Sequence, residues 1–335
     1  MQTGRKARGL SLLSGGLDSQ LAVRVLERAG AQMEAVCFAT PFFSSAAAEK
    51  AAAALGVKLR VVDFTDDVIA LIENPLHGFG GAMNPCIDCH AAMIRRAGEI
   101  MEREGFDFVS TGEVLGQRPM SQNRQSLGIV AKSAGLAGRL VRPLCAKLLE
   151  PTAPEAEGLL DREALLDIQG RSRERQIALA EEFGIIDYPS PAGGCKLTEE
   201  GYGRKLKDLL EHEGLRRDRR LVELLATGRR FRFEDGTGVI LGRDKTENAL
   251  LASLGELGVT VAPCNCPGPT ALVPRPAGGA ETPPESLARV LALVAAYSRC
   301  DRLEGDVELK TSAPGGTVTS PRPYSRDAFK KFQIC

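Results

Sequence analysis

Leu10-Ser11-Leu12-Leu13-Ser14-Gly15-Gly16-Leu17-Asp18-Ser19 decides the fold of this chain. An apolar run stops at Ser14-Gly15-Gly16, and Leu17, Leu21 and Val25 then recur every four residues, the spacing of one helix face. The stretch predicts a strand entering a helix through a loop with almost no side-chain bulk. Gly15 and Gly16 permit unusual φ values and let a ligand approach the backbone. The N–H groups of such a loop and of the helix N-terminus converge on one spot, which suits phosphate. Ser14 and Ser19 add hydroxyl donors, and Asp18 is placed to orient a water or Mg²⁺. The plain alternative is a Gly-rich turn that binds nothing, since short Gly motifs recur by chance.

The full string Ser14-Gly15-Gly16-Leu17-Asp18-Ser19 resembles the PP-loop of the ATP-pyrophosphatase family, which cleaves ATP to AMP and pyrophosphate. It lacks the Gly-Lys-Ser/Thr ending of a Walker loop. The resemblance implies an adenine nucleotide alpha hydrolase-like fold with ATP and Mg²⁺ held at Ser14, Gly15, Gly16, Asp18 and Ser19.

Working outward, residues 8 to about 145 alternate strand-like and helix-like segments. Strands are expected at Leu10–Leu13, Met33–Phe38, Lys58–Phe64, Phe106–Ser110 and Arg139–Arg142. Helices are expected at Ser19–Ala29, Ser44–Leu55, Asp66–Glu73 and Ile87–Glu104. This alternation predicts an α/β fold, a doubly wound parallel sheet. Ligands of such sheets bind beyond the carboxyl ends of the strands. Cys37 and Phe38, closing the second strand, stand at such an end, as do Thr111, Gly112 and Glu113 after a later one. A polar helical stretch from Glu155 to Thr198 carries Ile177, Ala180 and Phe183 on one face. It ends in the stiff loop Tyr188-Pro189-Ser190-Pro191-Ala192-Gly193-Gly194-Cys195.

Past residue 200 the composition shifts. Arg229–Phe233 and Gly238–Leu241 flank Asp235-Gly236, the pattern of a β-hairpin. Helical spacing at Asn248–Leu254 and Ser286–Tyr297 brackets short strands and a Pro/Gly-rich loop at Pro274–Pro284. We therefore expect two domains, 1–200 carrying the ATP loop and 201–335 a smaller α+β domain. Formal net charge is zero, so any nucleic-acid surface must be local. No apolar run reaches membrane-span length. The N-terminus does not read as a signal peptide, so a cytoplasmic protein with no membrane partner is expected.

Nine cysteines are many for such a protein, and their odd number and spacing do not form a disulfide framework. Asn84-Pro85-Cys86-Ile87-Asp88-Cys89-His90 opens a helix. Two thiols three residues apart at a helix N-terminus can face one point, where the helix dipole favours thiolate. Such a pair serves zinc, an iron–sulfur cluster or a redox disulfide. Cys195 supplies a third thiol if the topology returns its loop to the same cleft. Three thiolates leave one iron of a 4Fe-4S cluster open, whereas in a redox scheme one cysteine carries a persulfide and another resolves it. Cys37 and Cys145 also read as buried small hydrophobes. Cys264, Cys266 and Cys300 form a weaker candidate for a second metal cluster.

The Asn-Pro-Cys-x-x-Cys-His string after a PP-loop looks like the tRNA 2-thiouridylases. Thr111-Gly112-Glu113-Val114-Leu115-Gly116-Gln117 with Ser121-Gln122 is similar to the bacterial 4-thiouridine synthetases. The resemblance spans roughly residues 8 to 200. It implies that ATP adenylates a uridine carbonyl oxygen of tRNA and that sulfur then displaces AMP. Cys86, Cys89 and Cys195 would carry sulfur, drawn from sulfide or a cysteine desulfurase. Glu113, Gln117 and Ser121 would hold ribose, phosphate or substrate; the plain alternative is a capped loop. Gly238-Val239-Ile240-Leu241-Gly242-Arg243-Asp244-Lys245-Thr246-Glu247-Asn248 is similar to the opening of NFACT-R domains of RNA-associated proteins. The nearby cations Arg204, Lys205, Lys207, Arg216, Arg217, Arg219, Arg220, Arg229, Arg230 and Arg232 are then expected to contact phosphates, unless interspersed acids make them a solvated face. Two other readings stand beside this one: activation of a small-molecule carboxylate, and a non-catalytic ATP- and RNA-binding module.

Overall fold

Leu10 and Leu13 lie fully buried at the centre of a five-stranded sheet, and the rest of the first unit is built around them. The computed structural model describes residues 5–118, 120–136, 138–190, 194–276, 279, 281–299, 305–313, 316–320 and 325–334. The chain divides into two units, Met1–Thr198 and Glu199–Cys335.

In the first unit the strands are β1 (Arg8–Leu12), β2 (Gln32–Ala39), β3 (Leu59–Asp63), β4 (Phe108–Ser110) and β5 (Leu140–Val141). The helices are α1 (Leu17–Arg28), α2 (Ala46–Leu55), α3 (Thr65–Glu73), α4 (Cys86–Glu104), α5 (Arg124–Ser133), α6 (Ala153–Ala156) and α7 (Glu174–Glu182). Every pairing in the sheet is parallel, in the order β3-β2-β1-β4-β5. The chain leaves β1 toward β2 and β3 on one side and returns to β4 and β5 on the other. The order therefore reverses between β1 and β4, the place where doubly wound sheets open a ligand crevice. Burial of Leu17, Leu21 and Val25 seats α1 against the sheet, and each such side chain contributes roughly 1.5–3 kcal/mol.

Two local readings change. Helix α5 was not among the expected segments; the Asn123 side chain caps its N-terminus by accepting from the Ser126 N–H at 2.8 Å. In α7 the buried face carries Gln176 and Ala180, while Ile177 is exposed.

The second unit holds helices α8 (Glu200–His212), α9 (Arg219–Glu223), α10 (Lys245–Ser253) and α11 (Pro284–Tyr297). Its strands are β6 (Arg229–Arg232), β7 (Gly238–Leu241), β8 (Gly258–Pro263), β9 (Ala271–Pro274), β10 (Val307–Thr311) and β11 (Thr317–Ser320). They form an antiparallel sheet in the order β11-β10-β8-β9-β7-β6. Phe231, Val239, Val261, Val290, Leu293 and Leu309 form its core with α11. Among the described residues, no helix is long and apolar enough to cross a membrane.

Candidate active site

The loop between β1 and α1 is closed by its own hydroxyls. Ser19 Oγ donates to the Gly16 carbonyl at 2.8 Å and accepts from the Ser14 N–H at 3.3 Å, while Ser14 Oγ accepts from the Gly16 N–H at 3.3 Å. Gly15 has φ +82°, and a Cβ there would sit 2.3 Å from the Ala47 backbone, so only glycine fits. The Gln20 amide holds the Gly15 carbonyl at 2.9 Å and the Asp187 carbonyl at 3.1 Å. No side chain caps α1, whose first turn carries Asp18. Its first N–H groups are left to an external acceptor, the arrangement that binds phosphate.

The loop after β4 packs directly on this one. A Cβ on Gly112 would lie 2.6 Å from the Asp18 carbonyl and the Ser19 nitrogen, so the two backbones touch. Gln117 Nε2 donates to Asp18 Oδ2 at 3.0 Å. Asp18 Oδ1 is buried with no hydrogen-bond partner, and so is Gln117 Oε1. An orphaned hard oxygen beside free helix N–H groups fits Mg²⁺ carried with a nucleotide phosphate, with Asp18 as its protein ligand.

Glu113 belongs to the same loop. It is buried and held by Arg142 Nε at 2.8 Å and by the Thr111 hydroxyl at 3.0 Å, with His90 Nδ1 at 3.5 Å. Burial pushes its pKa up, but the Arg142 charge and then His90 pull it further down, to about 2. Glu113 Oε2 thus ties Thr111 and Arg142 together, while Oε1 is buried with no hydrogen-bond partner. Arg142, which binds the carboxylate from beyond β5, was missed because nothing in its strand-like context marks a partner thirty residues away. Ser121 and Gln122 are buried in the same loop, which closes through the Gly116 N–H on the Gln122 carbonyl at 2.7 Å.

His90 carries the connection from this loop to α4, whose first turn holds the cysteines. Cys86 is half-buried, and the Asn84 amide Nδ2 donates to its sulfur at 3.1 Å. Cys89 is buried; burial, and then the charges of Cys195, Cys86 and Asp88, push its thiol pKa far up. Asp88 is engaged by His77 through both its backbone N–H and its ring. The segment after Cys195 returns to the carboxyl edge of the sheet, where the Lys196 N–H donates to the Phe42 carbonyl at 2.9 Å. Cys195 comes within electrostatic reach of Cys89. Residues 191–193 of its loop lie outside the described residues. Among the described residues, however, no group of three or more His, Cys, Asp or Glu is arranged to hold a metal ion. The three thiols as placed do not fit a 4Fe-4S cluster.

Other expected positions fall elsewhere. Cys37 and Phe38 are buried in the sheet; Cys37 joins the core, where burial and then Glu49 raise its thiol to about 11, and Phe38 packs on Phe64 at 5.0 Å. Burial likewise raises Cys145 to about 11. Cys266 is disulfide-bonded, Cys264 is exposed, and Cys300 lies outside the described residues. Arg230 and Arg232 are not phosphate contacts. Arg230 is buried against the Leu221 carbonyl, and Arg232 is locked between Asp208 at 2.7 Å and Glu213 at 2.8 Å.

Comparison with known proteins follows the same division. Residues 4–147 match the family model described as thiamine biosynthesis protein (ThiI), and residues 228–332 match that of the NFACT protein RNA binding domain. A probable tRNA sulfurtransferase of Caldanaerobacter subterraneus subsp. tengcongensis is 31% identical over 150 residues, 42% of this chain and 37% of the relative. Its counterpart in Anoxybacillus flavithermus is 30% identical over 139 residues, 39% of this chain and 34% of the relative. The chain thus spans little more than a third of the length of these curated relatives. Among solved structures, a 4-thiouridine synthetase–RNA complex with bound ATP is 21% identical with a TM-score of 0.35, covering 53% of this chain and 52% of the other. A predicted tRNA methyltransferase subunit from Methanocaldococcus jannaschii is 19% identical with a TM-score of 0.30, covering 41% and 69%. The chain joins a PP-loop segment similar to the ThiI family to a C-terminal segment similar to the NFACT RNA-binding domain.

Proposed function

We propose that this chain is a cytoplasmic, ATP-dependent tRNA sulfurtransferase, which adenylates a uridine carbonyl oxygen and replaces that oxygen with sulfur. The observation that carries the reading is the continuous path from Asp18 through Gln117 and Glu113 to His90 and the Cys86/Cys89 turn. It supports a reading in which the loop that would bind ATP and the thiols serve one reaction. The tRNA sulfurtransferase relatives and the RNA-binding family match support the choice of substrate.

A carbonyl oxygen leaves poorly, and adenylation turns it into the good leaving group AMP. The α1 N-terminus and the Gly15–Gly16 backbone bind the phosphates, and Asp18 would hold a Mg²⁺, which would supply charge neutralisation for pyrophosphate. A sulfur nucleophile then attacks the activated carbon, the C–O bond breaks, and AMP departs with the oxygen. We assign Cys86, Cys89 and Cys195 to carrying and resolving that sulfur. A cysteine desulfurase passes its persulfide sulfur to one thiol, the outer sulfur attacks the activated carbon, and a second thiol breaks the S–S bond. This leaves a cysteine disulfide that an external thiol reductant reopens. Free sulfide, already fully reduced, instead attacks the carbon directly and needs no carrier.

The test supplies ATP, Mg²⁺, unmodified tRNA, a cysteine desulfurase with cysteine, and a thiol reductant, and follows pyrophosphate together with thiouridine by mass spectrometry. Both products should appear only with tRNA. Pyrophosphate released by a small carboxylic acid and not by tRNA would overturn the reading in favour of carboxylate activation. ATP binding with no pyrophosphate would leave a binding module.

A further inference from the structure

The cations expected to meet RNA are largely spent inside the second unit. Arg220 pairs with Asp218 at 2.8 Å and Glu256 at 2.7 Å, Arg219 with Glu223 at 3.3 Å, and Lys207 with Glu211 at 3.8 Å. With Arg232 on Asp208 and Glu213, the α8–α9 segment presents charge already compensated by neighbouring carboxylates.

A different place in the same unit keeps its charge. The C-terminal segment 326–332 turns back beside β6, where the Ile334 N–H donates to the Arg230 carbonyl at 3.0 Å and Phe231 bridges Gln333. This return brings Arg326 next to Arg229, with Tyr297 at the end of α11 between them in contact. The Arg229 guanidinium carbon lies 5.7 Å from the Tyr297 ring centre and that of Arg326 5.1 Å. Phe231 packs edge-on against the ring at 5.8 Å and holds it from the core side. Arg326 is fixed further by the carbonyls of Ala296 and Tyr297, at 3.2 and 3.4 Å. Neither arginine forms an ion pair with a carboxylate among the described residues. The flanking Lys330 and Lys331, by contrast, are paired with Asp327 and Glu234.

Two guanidiniums held on one aromatic ring lose little conformational freedom on binding, and their N–H edges meet phosphate in a fork geometry. Resting on the RNA reading above, we infer that Arg229, Arg326 and Tyr297 form the phosphate-contact patch for the RNA backbone, in place of the α8–α9 cations.

The experiment measures tRNA binding to the full chain by fluorescence anisotropy across a salt series. The variants are Arg229→Gln with Arg326→Gln, and the quadruple change of Arg216, Arg217, Arg219 and Arg220 to Gln. The double variant should weaken binding to all tRNA sequences alike and lower the slope of log K against log salt by about two. The quadruple variant should change the slope by less. The pair Arg229→Lys with Arg326→Lys keeps charge and ring contact, so it should fold and fall between wild type and the Gln pair. An unchanged slope in the Gln pair, with loss in the quadruple variant, would overturn the patch and leave the RNA reading intact. If the wild-type chain binds no tRNA, the RNA reading itself fails.

Discussion

The Gln117 amide holds Asp18 Oδ2 at 3.0 Å, so the loop leaving β4 sets the carboxylate of the loop leaving β1. The other oxygen of Asp18 stays buried and without a hydrogen-bond partner. One side chain therefore fixes the carboxylate while leaving its second oxygen to an incoming cation. Asp18→Ala removes that ligand and should abolish pyrophosphate release in a folded protein. Gly16→Val should do the same: a Cβ there meets nothing closer than Ser14 Oγ at 3.4 Å, so the fold tolerates it while the phosphate approach is blocked. Gln117→Ala should lower kcat/KM by roughly 10–100-fold, the usual cost of freeing a ligand from its support. Wild-type turnover in a folded Asp18→Ala variant would show that the phosphates bind elsewhere.

Gly112 is the point of closest approach between the two loops. Gly112→Ala puts a methyl carbon 2.6 Å from the Asp18 and Ser19 backbone, which cannot swing aside as a side chain can. The loops must part, at a cost of about 1–3 kcal/mol. Thermal melting should report that loss, and KM for ATP should rise with it. An alanine variant with unchanged melting would mean the loops separate freely.

Glu113 and Arg142 give the site a pH signature. The folded pKa of Glu113 is about 2, below its ordinary value near 4.5. Stability from this depressed carboxylate is present above the unfolded value and is lost as pH falls through the folded one. Arg142→Met strands the buried charge and should cost about 3–5 kcal/mol at neutral pH. Urea midpoints of wild type and variant should therefore lie far apart at pH 7 and converge as pH falls from about 4.5 toward 2. A gap that stays constant over that range would remove Glu113 from the account.

The reach of the sequence depended on how local each signal was. Glycines 15 and 16 and the four-residue spacing of Leu17, Leu21 and Val25 sit inside one turn and one helix, so the loop and the parallel sheet were legible. Cys86 and Cys89 were legible for the same reason. The Glu113–Arg142 pair was not legible, because Arg142 lies beyond another helix and only folding brings the two together. Arg232 misled in the same way: a basic run reads as phosphate-binding until Asp208 and Glu213 close on it. Gln176 takes the place of Ile177 on the buried face of α7, while Ala180 and Phe183 pack on the core as their spacing predicted.

The cysteines divide by exposure, and that division predicts their reactivity. Cys86 is half-buried at the helix start, with an amide donor on its sulfur, whereas Cys89 is buried and its thiol is held protonated by burial and by its neighbours' charges. Thiolate is the reactive form, so iodoacetamide at neutral pH should modify Cys86 well before Cys89. Peptide mass spectrometry after short exposure reads this directly, and faster labelling of Cys89 would contradict the division. Cys86→Ser, Cys89→Ser and Cys195→Ser should each stop thiouridine formation yet leave tRNA-dependent pyrophosphate release in place, because adenylation needs no thiol. The same preparations carry a further readout, the iron content of protein purified without oxygen. A thiol relay predicts none, and alkylation then blocks sulfur transfer alone. Iron that disappears with each serine change would instead require the three sulfurs to close on one centre, a rearrangement of the loop carrying Cys195 toward the first turn of α4.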